Sequence, residues 1–420
     1  MTVTTFTNAR LIDPESGEET LGWLRIEDGL IAERGTGARD GVDCNGKCLA
    51  PGIIDIGVKI GEPGERHKES YKTAGAAAAA GGVTTMVTRP DTDPVMDTPE
   101  MLAFAMRRAQ DAAPVHVLPI AALTKGFEGR EMTEIGFLGD AGAVAFSDAD
   151  AVVQDTRVLA RAMTYAAGLD ALIIAHPQEP VLSRKAAMTS GPFAAKLGLP
   201  TVSPMAERMQ LERDLALVEM TGVRYHADQL TCAASLKVLA RAKAEGLKVT
   251  AGTSVHHLTL NTFDIDDYRT FFKVKPPLRS EDDRMATVEA LASGLIDIVS
   301  SMHTPQDEES KRLPFEEAAS GAVALETLLP ACLQLVHAGH LDLPRLFRAL
   351  SLNPARLLGL SAGRLAVGAP ADLILFDPDA PFILDRSKLR SKSKNTPYDG
   401  RRMQGRVLRT LVSGREVFAR

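Results

Sequence analysis

The sequence predicts a (β/α)8 barrel carrying a small β-sandwich built from both ends of the chain. Three observations predict it. The 420 residues are too many for one small domain and suit a barrel with an accessory domain. Through the middle of the chain, short apolar strands alternate with helical segments over roughly 300 residues, the signature of parallel βαβ units. All-β stretches stand at both ends. The expected domains are therefore a composite β domain from residues 1–50 and 363–420, and a barrel from residues 51–362.

In the N-terminal part, Thr4–Phe6, Leu21–Ile26, Leu30–Glu33 and Cys48–Leu49 read as strands. Glu27-Asp28-Gly29 is a hairpin signal in which glycine supplies positive φ. The C-terminal part repeats the pattern, with ADLILFD and then VLRTLVSGREVFA turning at Ser413-Gly414. Between them, Leu49–Pro63 carries an apolar run, Ile53–Ile60, after a Pro-Gly turn. The run is short enough for a buried strand, and alternation would place Asp55, Gly57 and Lys59 on one face. An Ala-rich helix end at Ala74–Ala80 stops at Gly81-Gly82, which read as a helix stop and not a phosphate loop. Strands follow at Val83–Thr88, Val115–Ile120, Ala171–Ala175, Val223–Tyr225, Lys248–Ala251 and Ile296–Ser300. Helices are expected at Pro99–Gln110, Val152–Ala167, Met205–Met220 and Ala233–Glu245. Ser280-Glu281-Asp282-Asp283 fits a capping box, so those acids are structural. Ser387–Tyr398, containing SKSKNTP, reads as a flexible loop.

Composition excludes several classes of function. A net charge of −6 offers no basic footprint for nucleic acid. No window approaches ~20 apolar residues, and the N-terminus lacks the form of a signal peptide. Cys44, Cys48, Cys232 and Cys332 are too scattered for a disulfide framework and read as unpaired thiols in a reducing compartment. The expected location is the cytoplasm.

In a barrel of this kind chemistry gathers at the C-terminal ends of strands. There the sequence carries PGIID (51–55), GGVTTMVTRPDTDPV (81–95), GAVAFSDAD (142–150), AHPQEP (175–180), GTSVHHL (252–258), VKPPLRSEDDR (274–284) and SKSKNTPYDG (391–400). In place and order these motifs resemble the longer-chain dihydroorotases of the amidohydrolase superfamily. Hydantoinases and allantoinases share that fold, but PPLRSEDDR and SKSKNTPYDG lean toward dihydroorotase.

The resemblance implies zinc chemistry at a cyclic amide, with a carboxylate to shuttle the proton. Carried over residue by residue, it implies that most of the machinery is substituted. The paired metal histidines fall on Gly57 and Lys59. The aspartate after the fourth strand is kept as Asp148, and the histidine after the fifth as His176. The next histidine falls on Gln229. The catalytic aspartate falls on Met302, beside His303. The three groups that clamp a substrate carboxylate fall on Gly61, Asp91 and Gln306. Two remnant ligands, Asp148 and His176, are fewer than a tight zinc site uses.

The resemblance therefore implies a catalytically silent dihydroorotase homologue, a pseudoenzyme of pyrimidine biosynthesis. No cofactor is expected, and homo-oligomerisation is. The implied partner is aspartate transcarbamoylase, whose assembly such subunits support. The rival is a divergent zinc-dependent dihydroorotase or related cyclic amidase. Two further expectations concern single residues. Lys59 should pair with Asp148 at the barrel mouth, its ammonium standing in for the missing cation. His176, His256 and His257 should be packing or hydrogen-bonding groups.

Overall fold

The computed structural model describes residues 3–266 and 268–420, so the first two residues of the expected N-terminal segment lie outside the described ones. Five strands open the chain: β1 (Val3–Asp13), β2 (Glu18–Glu27), β3 (Leu30–Gly35), β4 (Val42–Asp43) and β5 (Cys48–Pro51). The middle holds β6 (Ile53–Val58), β7 (Val83–Thr88), β8 (His116–Ala121), β9 (Ala145–Phe146), β10 (Leu172–Ala175), β11 (Met188–Thr189), β12 (Thr201–Val202), β13 (Arg224–Ala227), β14 (Val249–Ser254) and β15 (Ile298–Ser300). The last strands are β16 (Leu373–Ile383), β17 (Arg402–Val412) and β18 (Arg415–Ala419).

Both ends of the chain enter one sheet of order β18-β17-β16-β5-β1-β2-β3, with β4 beside β1. The seam is the antiparallel pairing of β5 with β16, Pro51 facing Leu373 and Cys48 facing Phe376. Alternation along β1 and β2 points Phe6, Leu11, Leu24 and Ile26 inward, onto Leu365, Leu373 and Leu411.

The second sheet is the barrel: β6-β7-β8-β9-β10-β13-β14-β15, each neighbouring pair parallel. Its eight strands are buried almost throughout, which explains why they read as apolar runs and not as alternating ones. The ring closes between β15 and β6 without a ladder. Ser301 N–H donates to the Asp55 carboxylate at 2.8 Å, and Lys59 N–H donates to the His303 carbonyl at 2.9 Å. The loops at this end carry the candidate site.

Helices start and stop where local chemistry dictates. Ser70 caps Tyr71–Gly81 in a capping box with Thr73, and Gly82, at φ 83°, ends it. Ser280 caps Glu281–Ser293, its hydroxyl accepting from Asp283 N–H. Several elements have no counterpart in the sequence reading, and two of them show why. Strand β9 is only two residues long, too short for a period. Helix Leu328–His337 is apolar nearly all round and buries seven of its ten residues, so it shows no polar face by which to recognise it.

The stretch Ser387–Tyr398 is not a flexible loop. Ser391, Ser393, Asn395, Thr396 and Tyr398 are all buried. The buried Glu69 carboxylate accepts from Ser391 Oγ and from Lys392 N–H, and contacts His303 Nε2 at 3.4 Å. Asn395 Nδ2 donates to the carbonyls of Thr304 and Gly321. Polar composition suggested solvent. Here those polar groups satisfy a buried backbone. Among the described residues, no helix is long and apolar enough to cross a membrane.

Candidate functional site

The site is built from the turns after the barrel strands. At the end of β6 the backbone bulges, and the register with β7 slips between Ile56 and Val58. Gly57 sits at φ 99°, a conformation that side chains disfavour. The Met302 Sδ lies 2.6 Å from where a Gly57 Cβ would stand. The bulge breaks the expected alternation of Asp55, Gly57 and Lys59. Asp55 turns into the barrel, where burial, against the Ser301 N–H bond, raises its carboxyl to about 6. The methionine thus fills the space beside the position of the first metal histidine.

Lys59 does not meet Asp148. Its Nζ lies 3.1 Å from Asp91 Oδ2 and 3.7 Å from Glu65 Oε2. Asp148 is engaged elsewhere. One oxygen accepts the N–H groups of Leu123 and Thr124 at 2.9 and 2.8 Å, and the other accepts the Thr124 hydroxyl. Burial outweighs these bonds and raises its carboxyl to about 6. The physical reason for the changed partner is competition. Asp148 is satisfied by its neighbouring turn, whereas Asp91 stands on the loop that faces Lys59.

The residue that organises the mouth is Arg89, which the sequence reading did not single out. It follows directly on β7, is 7% exposed, and clamps Asp91 through Nε and Nη2 at 3.1 and 3.0 Å. The same Nη2 lies 2.9 Å from Asp150 Oδ1. Burial works against its charge, but Asp150 and Asp91 raise its pKa further. Asp150 is held well below the usual carboxylate range by Arg89, against burial. Half-buried Asp228, near the same charges, is pushed up by burial to about 7. A charged residue at the C-terminal end of a barrel strand was the signal that could have found Arg89.

The other implied positions fall as follows. His176 is buried, burial lowers it to about 4, and neither ring nitrogen has a hydrogen-bond partner. Gln229 is buried at φ 56°. Gly61 cannot carry a longer side chain in this backbone, since its Cβ would stand 2.3 Å from the Glu65 carbonyl oxygen. Gln306 spends its amide on the Ser320 carbonyl at 2.9 Å, and its N–H on Asn395 Oδ1 at 3.2 Å. Asp91 is neutralised by Arg89 and Lys59. His303, packed beneath, accepts the Ala324 N–H at Nδ1 and faces Glu69 through Nε2. His257 is held between Ser254 Oγ and the Pro276 carbonyl, and His256 stacks on Tyr398. All four cysteines are buried and free.

Comparison with known proteins supplies the relationship. A sequence profile described as Dihydro-orotase-like matches residues 46–233, and one described as Amidohydrolase family matches residues 335–418. The dihydroorotase of Desulforapulum autotrophicum is 38% identical over 422 residues, covering 99% of each chain. That of Anaeromyxobacter dehalogenans is 39% identical over 415 residues, covering 97% of this chain and 96% of its own. The chain belongs to the dihydroorotase family. Among solved structures of this superfamily, the L-hydantoinase of Arthrobacter aurescens superposes with a TM-score of 0.90 at 26% identity, covering 100% of this chain and 96% of that one. The dihydropyrimidinase of Brevibacillus agri follows the same fold, with a TM-score of 0.86 at 21% identity, covering 100% and 95%.

The residues present do not fit the zinc that a dihydroorotase resemblance implies. Lys59 places an ammonium where a neutral donor would be needed, Met302 closes the space over Gly57, and Asp148 has both oxygens engaged. Among the described residues, no three His, Cys, Asp or Glu side chains converge to hold a metal ion.

Two expected outcomes follow from this geometry. Gly57→Ala should destabilise the protein by about 2–4 kcal/mol, from strain plus overlap with Met302. Adding Met302→Gly should relieve the overlap and leave the strain, which a double-mutant cycle in urea unfolding measures. The second outcome concerns pH. Burial lowers His226, paired through Nδ1 with Thr250 Oγ1, to about 3 in the folded chain, whereas the unfolded imidazole titrates near 6.5. Its stabilising contribution is complete above pH 6.5 and is lost as pH falls toward 3. At pH 5 the loss is about 2 kcal/mol. His226→Gln should flatten the stability profile between pH 7 and 5 by about that amount relative to the parent, read from denaturation midpoints at the two pH values.

Proposed function

We propose that this dihydroorotase-family chain is a catalytically silent, cytoplasmic homologue in pyrimidine biosynthesis that serves as a structural partner of aspartate transcarbamoylase. The observation that carries the reading is the barrel mouth itself. Of the metal, proton-transfer and substrate-clamping positions implied by the family resemblance, Lys59 and Asp91 pair with each other, Met302 packs over Gly57, and Asp148 and Gln306 are bonded to neighbouring turns. Lys59 and Arg89 share Asp91, and Met302 lies against Gly57. A methionine thioether cannot take up a proton at physiological pH, and an aspartate held by two cations does not clamp a substrate carboxylate. Such a centre neutralises itself and leaves the surfaces of the fold as what selection can act on.

The test pairs chemistry with assembly. Protein purified without chelator is analysed for zinc and assayed for dihydroorotate hydrolysis with zinc added. The chain is then co-expressed with the aspartate transcarbamoylase of its own organism and passed over a sizing column. The expected result is no stoichiometric metal, no turnover, and co-elution in one large complex. Near one zinc per chain with turnover would instead establish a divergent amidohydrolase using His176. A chain that elutes alone, indifferent to transcarbamoylase, would overturn the partnership.

A further inference from the structure

Away from the barrel mouth, where the terminal sheet meets the barrel helices, lies a concave pocket of about 200 Å³. It is lined by residues of β16 and β17, by Ala80 and Pro330 of the helices Tyr71–Gly81 and Leu328–His337, and by Arg390 and Arg420. None of the positions that the dihydroorotase resemblance implies for metal, catalysis or substrate lines it.

Three guanidinium groups meet there, those of Arg390, Arg406 and Arg420. Each is set over an aromatic ring. Arg390 and Arg420 share Phe418, their guanidinium carbons 4.8 and 5.8 Å from its centre, and Arg406 stands 4.6 Å from the centre of Phe382. A ring holds a guanidinium in place without supplying an acceptor for its N–H groups. Arg420 is fixed further by its Nε, which donates to the Val407 carbonyl at 3.1 Å.

The carboxylates within reach do not balance these charges. One oxygen of Glu326 accepts the N–H groups of Arg390 and Ser391, and the other stands 3.9 Å from Arg390 Nη1. Burial raises the Glu326 carboxyl against these bonds. Asp385 accepts from Ser387 and faces Lys388. Asp377, opposite Arg406 in the β16–β17 ladder, is taken by Lys47. Among the described residues, Arg406 and Arg420 form an ion pair with no carboxylate. Burial, together with the charges of Arg406 and Arg390, lowers the Arg420 guanidinium. Like charges held this close oppose one another until an anion joins them.

We propose that this pocket binds the phosphoryl group of a small molecule, with the free N–H groups of Arg390, Arg406 and Arg420 donating to its oxygens. The guanidinium fork matches phosphate oxygens. The volume lies below the roughly 300 Å³ at which pockets begin to enclose a whole organic ligand. It has room for one tetrahedral anion and leaves the rest of an ester in solvent. Free phosphate and phosphate monoesters share that chemistry. The bound group would bridge β17, the chain after β18 and the Ser387–Tyr398 segment, and so hold the terminal sheet against the barrel.

The test uses the full chain with orthophosphate and glycerol 3-phosphate, each against sodium chloride at matched ionic strength. Titration calorimetry and thermal unfolding are the readouts. At least one probe should bind saturably and raise the melting temperature beyond the chloride control, as mass action requires of a ligand that binds only the folded chain. Tighter binding of glycerol 3-phosphate identifies an ester as the ligand class, and equal or tighter binding of orthophosphate identifies the free ion. R420Q should weaken binding about tenfold, the loss of one hydrogen bond to a charged ligand, and R406Q/R420Q should abolish the shift. Arg420 is exposed beyond the last strand, so R420Q reads the site whether or not R406Q folds. R406K/R420K keeps both charges and should stay weak, because an ammonium lacks the fork. A control pair on remote helices, R161Q/K237Q, should bind as the parent does. Failure of both probes to exceed chloride, or undiminished binding in R420Q and R406Q/R420Q, would overturn the proposal. Neither result bears on co-elution with transcarbamoylase.

Discussion

Arg89→Ala is expected to destabilise the protein by about 3–5 kcal/mol, the cost of breaking a buried ion pair by removing one partner. Arg89 is the shared cation of Asp91 and Asp150, and its removal leaves Asp91 to Lys59 alone and Asp150 with no close ionic partner. Arg89→Lys should recover little of the loss, because an ammonium cannot reproduce the two-pronged hold on Asp91. The triple change Arg89→Met, Asp91→Asn, Asp150→Asn removes charge on both sides and should recover most of it. Urea unfolding midpoints of these variants check each step. If Arg89→Ala cost less than about 1 kcal/mol, the cluster would behave as a screened surface network and would not be the organiser of the mouth.

A comparable loss is expected at Glu207, about 3–5 kcal/mol for Glu207→Ala. Glu207 and Arg279 form an ion pair at 3.1 Å with both side chains 1% exposed. The rest of each side chain is also satisfied. Glu207 accepts from the N–H groups of Thr231 and Cys232, while Arg279 donates to Thr231 Oγ1 and Thr189 Oγ1. Cys232 is the N-cap residue of helix Ala233–Ala244 and gives it no side-chain cap. Glu207, on helix Met205–Thr221, therefore holds the two amides that lead into the helix, while Asp283 accepts from Ala233 N–H at 3.0 Å, and both carboxylates stand at the end the helix dipole makes positive. Removing Glu207 would unpair a buried guanidinium and leave the Thr231 and Cys232 amides without their acceptor. The paired change Glu207→Leu, Arg279→Met should be far milder than either single loss, since an apolar pair of similar size often replaces a buried ion pair at little cost. Native-state hydrogen exchange should locate the weakening at the start of Ala233–Ala244.

The sequence made the barrel readable because buried parallel strands are apolar runs and Gly, Ser and Thr punctuate the helices between them. The helix stop at Gly81-Gly82 was legible, Gly82 being the residue that ends the helix, and the cap at Ser280 could be placed to the residue. What failed were statements about partners. Lys59 was expected at Asp148 and lies at Asp91, because strand alternation gives the side of a residue but not the path of a bulged backbone. Gly57 at positive φ broke that alternation. Arg89 went unremarked because a single cation after a strand looks like any solvated charge until its two acids are brought in by turns about 60 residues apart. Polar Ser387–Tyr398 misled in the opposite way. Composition distinguishes groups that want hydrogen bonds from groups that do not, but it does not say whether water or a buried backbone supplies them.

The seam between β5 and β16 also orders events during synthesis. A ribosome releases the chain from its N-terminus, so the first five strands emerge long before their partners β16 to β18, with the entire barrel made in the interval. Until then Leu49 and Ala50, fully buried in the finished fold, present an unpaired apolar edge. Such edges invite pairing with other chains. The growing chain thus carries this open apolar edge through most of its own translation. A nascent chain halted after the barrel should be held by chaperones or aggregate, whereas one that has released the last hairpin should not.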